Sequence, residues 1–104
     1  MVATSVNRCP TAPLAPDHAG TFETTLLHGL APGLVHLERL LSLDDAPAID
    51  DGLDPQGAQR HDRANPLWGI FGPDPRRADL SKGLELVEAI AGWLAHSVRE
   101  QLAG

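Results

Sequence analysis

Residues 21–30 carry an apolar stripe with the three- and four-residue spacing of a helix. The stripe consists of Phe22, Leu26, Leu27 and Leu30. Thr21 is expected to be the N-cap. Pro32 and Gly33 end the pattern, because proline cannot continue a helix and glycine suits a C-terminal turn. This stretch therefore predicts a short amphipathic helix.

Outside the main stripes the chain is poor in regular patterns. Residues 1–16 hold prolines at three positions and predict an irregular leader. Apolar residues at 34–41 fit a short helix or a short strand, and a short helix at 36–41 is the preferred interpretation. Residues 42–66 are rich in Asp, Pro and Gly and predict a long loop.

Residues 81–102 carry the longest stripe and predict the main helix of the chain. Its apolar members recur every three or four positions: Leu84, Val87, Ile90, Ala91, Leu94, Val98 and Leu102. Asp79 or Ser81 is expected to cap this helix. Because the short helices before it offer little to cover the stripe, self-association through residues 84–102 is expected. The sequence as a whole predicts a mostly α-helical, loop-rich chain.

Composition and charge narrow the possible partners. The chain has 104 residues, so one small domain is expected. Its formal net charge of −6 argues against nucleic acid or an anionic membrane as a partner. It has no apolar run of transmembrane length and no signal-peptide pattern, which predicts a cytoplasmic location. The single cysteine, Cys9, excludes an internal disulfide and is interpreted as a small residue of a mobile leader.

Candidate chemistry is concentrated directly before the first predicted helix. His18 supplies an imidazole, a group able to hold or transfer a proton, and Gly20 allows close approach of a ligand or a positive φ. Glu23 lies in the first helical turn, where the helix dipole stabilises a carboxylate. In a functional interpretation Glu23 hydrogen-bonds His18 and fixes its tautomer. A surface or capping role for His18 is the alternative.

The remaining histidines and the tryptophans suggest no further site. No two of these histidines stand four residues apart on a helix, and no cysteine lies at a spacing that would complete a metal-ligand set with them. The Asp-rich loop lacks the spacing of a calcium-binding loop. They are His28, His36, His61 and His96. Trp93 is expected to pack beside the main stripe, and Trp68 to anchor the core, with a pocket wall as its alternative. No metal ligand is assigned.

The segment His-Ala-Gly-Thr-Phe-Glu-Thr-Thr at 18–25 resembles the H-[AG]-G-x-x-E-T-S signature of the creatininase family, the creatinine amidohydrolases and their relatives. Later stretches resemble the family in the same order. Residues 26–35 resemble its helix with a Pro-x-Leu-Val exit, 69–78 its Gly-Asp-Pro turn, and 82–102 its C-terminal helix. The resemblance covers residues 17–104, which are interpreted as the C-terminal part of a creatininase-like domain behind the leader.

This resemblance implies a three-layer α/β/α amidohydrolase that uses two divalent metal ions, zinc or manganese, on a small-molecule amide. By the resemblance, His18 would face the metal centre, bind substrate together with Gly20 and shuttle a proton during C–N hydrolysis. Glu23 would support that loop, and a metal-activated water would be the nucleophile.

The chain departs from the family where the metals bind. The family's Glu-x-His-Gly segment, the Asp that follows it and the central Asn-Gly-His segment have no counterpart here. Other departures are Leu14 and Ala15 in place of a substrate-holding Trp-Asp pair, Thr25 in place of Ser, and Pro73 within the Gly-Asp-Pro turn. We therefore expect no bound metal and no activity from this chain alone. The alternative is a non-catalytic helical remnant that docks on a partner chain.

Overall fold

The computed structural model describes residues 3–48 and 58–103. In this part of the chain the backbone is helical or irregular, and the only extended pairing is an isolated antiparallel bridge between His18 and Phe71. The prediction of a mostly helical, loop-rich chain is confirmed for these residues. They do not form a full α/β fold.

Three α-helices are present in the described residues. Helix α1 spans Thr21–Leu30, α2 spans Ala58–His61 and α3 spans Gly83–Ala103. Short 3-10 turns lie at Val6–Arg8, Pro32–Leu34, Leu37–Arg39, Pro75–Arg77 and Leu80–Lys82. None of the helices in the described part of the chain is long and apolar enough to cross a membrane.

These bounds confirm some predictions and correct others. The predicted bounds of α1 are confirmed, and the helix expected at 36–41 is reduced to the single turn Leu37–Arg39. The loop predicted over 42–66 is wrong at Ala58–His61, which forms α2. The remainder of that prediction over 49–57 lies outside the described residues.

Helices α1 and α3 approach each other at a pair of glycines. A Cβ atom on Gly29 would lie 2.5 Å from the carbonyl carbon and oxygen of Gly83, and one on Gly83 would lie 2.7 Å from the Cα of Gly29. This contact sets the rotation of α3 about its axis. Leu86 and Ile90 follow Gly83 by three and seven residues and therefore lie on the same face of α3.

The predicted stripe of α3 is confirmed only in part: its members Ile90 and Leu94 lie in or against the core. Leu84 and Leu102 belong to that stripe but are 68% and 82% exposed, whereas Leu86, which was not assigned to it, is fully buried. The spacing of apolar residues does not by itself reveal which of two neighbouring faces packs. The contact at Gly83 decides it.

The core is a small cluster of Phe22, Leu86 and Ile90. Around it pack five partly buried residues: Cys9, Ala12, Leu14, Leu26 and Leu94. The Cys9 thiol is half-buried and lies 3.9 Å from the carbonyl oxygen of Ala89. Cys9 is thus a residue that packs against the core. The leader thus covers the core cluster, whereas Leu84 and Leu102 of α3 stay exposed.

A buried ion pair ties the 41–46 loop to the turn that precedes α3. The Asp74 carboxylate accepts hydrogen bonds from Nε and Nη2 of Arg76 at 3.0 and 2.9 Å. The Nη1 group of Arg76 donates to the carbonyls of Leu41, Ser42 and Ala46 at 2.9, 3.3 and 2.7 Å. Both charged side chains are almost fully buried. Arg76 therefore links the two loops.

Candidate functional site

Residues 17–23 form a sharp corner at the start of α1, which we call the His18 corner. The loop 69–74 backs it, because the His18 N–H donates to the Phe71 carbonyl at 2.8 Å and the Phe71 N–H donates to the His18 carbonyl at 2.9 Å. The two rings also lie 5.0 Å apart between centroids, tilted by 39°. His18 is exposed, so its backbone is fixed while its ring meets solvent.

Asp17 caps α1. Its Oδ2 accepts the Phe22 N–H at 2.8 Å and its Oδ1 accepts the Glu23 N–H at 3.1 Å, so two of the free N–H groups of the first turn are satisfied. The prediction of Thr21 as N-cap is wrong, since the N-cap is Gly20, which has no side chain to contribute.

A left-handed residue makes this capping possible. Ala19 has a φ of 58°, a conformation uncommon outside glycine, and it folds the chain back so that Asp17 reaches the helix start. The sequence suggested a positive φ at Gly20, but the φ of Gly20 is −85°. The strained position is therefore one residue earlier than the glycine.

Glu23 holds the residue that follows His18. The Ala19 N–H donates to Oε2 of Glu23 at 2.7 Å, and the Thr24 hydroxyl donates to the Ala19 carbonyl at 3.3 Å. The Glu23 carboxylate is thus bonded to the backbone of the corner rather than to the imidazole of His18. Its role in this structure is to keep the left-handed turn in place.

Two glycines let the corner and its backing loop touch. A Cβ on Gly20 would overlap the Asp17 carboxylate and lie 2.8 Å from the Pro73 carbonyl oxygen. Gly72 has a φ of 117°, and a Cβ there would lie 2.7 Å from the Asp17 Cβ. Close packing between the two loops is a sufficient reason for glycine at both positions, independent of any ligand.

Gln59 positions the backing loop and was not identified from the sequence. Its buried side chain donates from Nε2 to the carbonyls of Ile70 and Gly72 at 2.9 and 3.0 Å, and the Gln59 backbone carbonyl accepts the Gly69 N–H at 2.8 Å. Phe71 is held between these contacts and in turn pairs with His18. A lone glutamine in a segment expected to be loop carries no local signal of this role.

The other residues singled out in the sequence lie apart from the corner. Trp68 is 51% exposed with the Arg63 guanidinium 5.3 Å from its ring centroid, so the expectation that it anchors the core is wrong. Its neighbour Leu67 takes the buried place instead. Among residues 3–48 and 58–103, no group of three or more His, Cys, Asp or Glu side chains is arranged to hold a metal ion.

The cap gives a direct prediction. Asp17→Ala should lower the free energy of unfolding by about 1 kcal/mol, because two N–H groups of α1 lose their acceptor. Urea denaturation followed by circular dichroism measures this, with the exposed Asp44→Ala as the matched control. Equal stability of the two variants would contradict the capping role.

No protein-family model, curated protein or solved structure matches this chain.

Proposed function

We propose that the chain is the C-terminal portion of a creatininase-like, metal-dependent amidohydrolase that acts on C–N amide bonds in the cytoplasm. The 18–25 segment supports the proposal through its resemblance to the family signature. The structural observation that carries it is the exposed imidazole of His18 on a backbone fixed from both sides. In this proposal other segments complete the α/β/α fold and supply the zinc or manganese centre.

The geometry of the corner suits an imidazole that moves a proton. Backbone bonds to Phe71 fix His18 itself, and the bond to Glu23 fixes Ala19 beside it. General acid–base catalysis depends on such positioning, because the proton must be transferred within hydrogen-bond distance of the reacting atom. Contact with the Phe71 ring limits the orientations of the imidazole without burying it.

The role of this chain is then limited to proton transfer and substrate contact. The His18 imidazolium would donate its proton to the nitrogen that leaves as the C–N bond breaks, and Gly20 would border the substrate. The described residues offer no ligand set for the metal ions. A metal centre held by other segments would supply the activated water and the Lewis acid, so we expect the chain alone to be inactive.

A second candidate is a non-catalytic helical remnant that docks on a partner chain. Exposed leucines favour it, because large apolar side chains gain most from being covered. Leu30, Leu34, Leu84 and Leu102 are each at least 65% exposed. Those on α3 would serve self-association through residues 84–102.

Complementation tests the enzymatic proposal. The purified chain is mixed with the N-terminal fragment of a creatininase-family enzyme that carries the metal-binding segments and ends before its own His-Ala-Gly segment. With zinc or manganese present, we expect hydrolysis of creatinine or a formamide. His18→Gln should reduce this rate by about 100-fold. His96→Gln, an exposed histidine on α3, should leave it unchanged.

Several outcomes would overturn the proposal. Hydrolysis that is insensitive to His18→Gln removes the imidazole from the reaction. A complex of the two fragments that co-elutes in gel filtration but hydrolyses nothing favours the docking alternative. Two divalent ions bound tightly by the chain alone contradict the expected absence of metal ligands.

A further inference from the structure

A pocket of about 340 Å³ lies between the leader, α1 and the start of α3. Neither His18 nor Glu23 lines it, so it is separate from the His18 corner. Pockets that take small organic ligands begin at about 300 Å³ and are mostly apolar with a few polar groups. This pocket has that character, with Pro13 and Leu14 of the leader and Ala78 in its walls.

One polar group in the pocket wall lacks a partner. Thr25 is only 1% exposed, and its Oγ1 makes no hydrogen bond within residues 3–48 and 58–103. Leaving a buried hydroxyl without a partner costs about 1–3 kcal/mol. The oxygen itself is covered, so a ligand with a hydrogen-bonding group would remove that cost by a small opening of the pocket wall at Thr25.

Most charged residues around the pocket have a partner among the described residues. Lys82 and Glu85 lie 3.8 Å apart between Nζ and Oε2 and pair with each other. Asp79 accepts bonds from the hydroxyl and the N–H of Ser81, and these bonds hold the pKa of the Asp79 carboxyl below its usual value. It is therefore a charged carboxylate at neutral pH that already has its donors.

Arg77 is the exception among these charged residues. Its side chain is exposed, and its guanidinium pairs with no carboxylate of the described residues. A guanidinium presents donors in a planar fork that suits a carboxylate. The pocket thus joins an apolar wall, an unpartnered hydroxyl and an available cation.

From this combination we propose that the pocket binds a small organic monocarboxylate with an apolar body and one further hydrogen-bonding group. The body would lie against Pro13 and Leu14, the carboxylate would meet Arg77, and the remaining polar group would pair with the Thr25 hydroxyl. This site is separate from the His18 corner, because His18, Gly20 and Glu23 do not line the pocket.

Three probes of one shape test the proposal: 3-(4-hydroxyphenyl)propionate, its amine counterpart 3-(4-hydroxyphenyl)propylamine, and 3-phenylpropionate. Binding is followed by amide chemical shifts of the ¹⁵N-labelled chain. We expect the hydroxylated acid to shift the amides of Leu14, Thr25 and Ala78. The amine should bind about tenfold more weakly, since it loses a charge-assisted hydrogen bond at Arg77.

Variants assign the two polar contacts. Arg77→Gln should weaken both acids about tenfold, whereas Arg99→Gln, an exposed arginine on α3, should weaken neither. Thr25→Val should weaken the hydroxylated acid to the affinity of 3-phenylpropionate and leave the latter unchanged. Thr25→Ser keeps the hydroxyl and should bind as the unaltered chain does, which separates loss of the contact from loss of the fold.

The proposal is overturned by any of three results. The first is no saturable shift with either acid up to its solubility limit. The second is equal binding of the acid and the amine. The third is binding that Arg77→Gln does not weaken.

Discussion

Arg76→Ala is expected to lower the free energy of unfolding by about 3–5 kcal/mol, because it leaves the buried Asp74 carboxylate without its counter-ion. The same substitution removes the donor that three loop carbonyls share. Urea denaturation measures the loss. Faster amide exchange at Ala46, whose N–H donates to the Ser42 carbonyl, would report release of the loop.

The adjacent arginine provides the control. Arg77 lies in the same 3-10 turn but is exposed. Arg77→Ala should therefore change the free energy of unfolding by no more than about 0.5 kcal/mol. If Arg76→Ala abolishes folding, Asp74→Asn combined with Arg76→Met should recover part of the stability, because no buried charge then remains. Equal effects of the two alanine variants would show that the ion pair contributes little.

Gly83→Ala is expected to destabilise the chain by about 1–3 kcal/mol through overpacking at the helix crossing. The new methyl group would lie 2.7 Å from the backbone N and Cα of Gly29 and 2.9 Å from the Thr25 carbonyl oxygen. Backbone atoms cannot rotate away as a side chain can, so the helices must separate. Gly83 has ordinary helical angles, φ −57° and ψ −48°, and the cost therefore comes from contact and not from strain.

A glycine-to-alanine substitution elsewhere in α3 should raise the free energy of unfolding instead of lowering it. A Cβ on Gly92 would meet no atom within 4 Å. Gly92→Ala should therefore stabilise the chain by about 0.5–1 kcal/mol, because alanine loses less conformational entropy in a helix. Matched urea denaturation curves measure both variants. If Gly83→Ala and Gly92→Ala changed the free energy of unfolding in the same direction, the close helix crossing at Gly83 would be contradicted.

Local signals were sufficient to predict α1 and α3, but not α2, which lies in a segment predicted to be loop. Pro32 and Gly33 end α1 at the expected residue, and the long apolar pattern predicts α3 to within two residues at each end. The buried face of α3 was predicted only in part, since the stripe includes Ile90 and Leu94 but not Leu86. It depends on the contact between Gly29 and Gly83, which are far apart in sequence, and the chain gives no local indication of that pairing.

For the candidate site, too, the sequence predicted which residues come together but not the contacts that fix them. His18, Gly20 and Glu23 are neighbours in sequence, so placing them at one corner required only the start of a helix. The groups that fix this corner come from elsewhere or act through an unusual backbone angle. Gln59 works through the backing loop, and Asp17 reaches α1 only because Ala19 is left-handed.

The covering of the core by the leader has a consequence for how the protein is made. Contacts such as that between Cys9 and Ala89 join positions 80 residues apart. Closing so long a loop costs conformational entropy before the stabilising contacts form. During synthesis the early residues must wait for α3 to leave the ribosome. We therefore expect the interior to form late and in a single event, with the first helix unprotected until then.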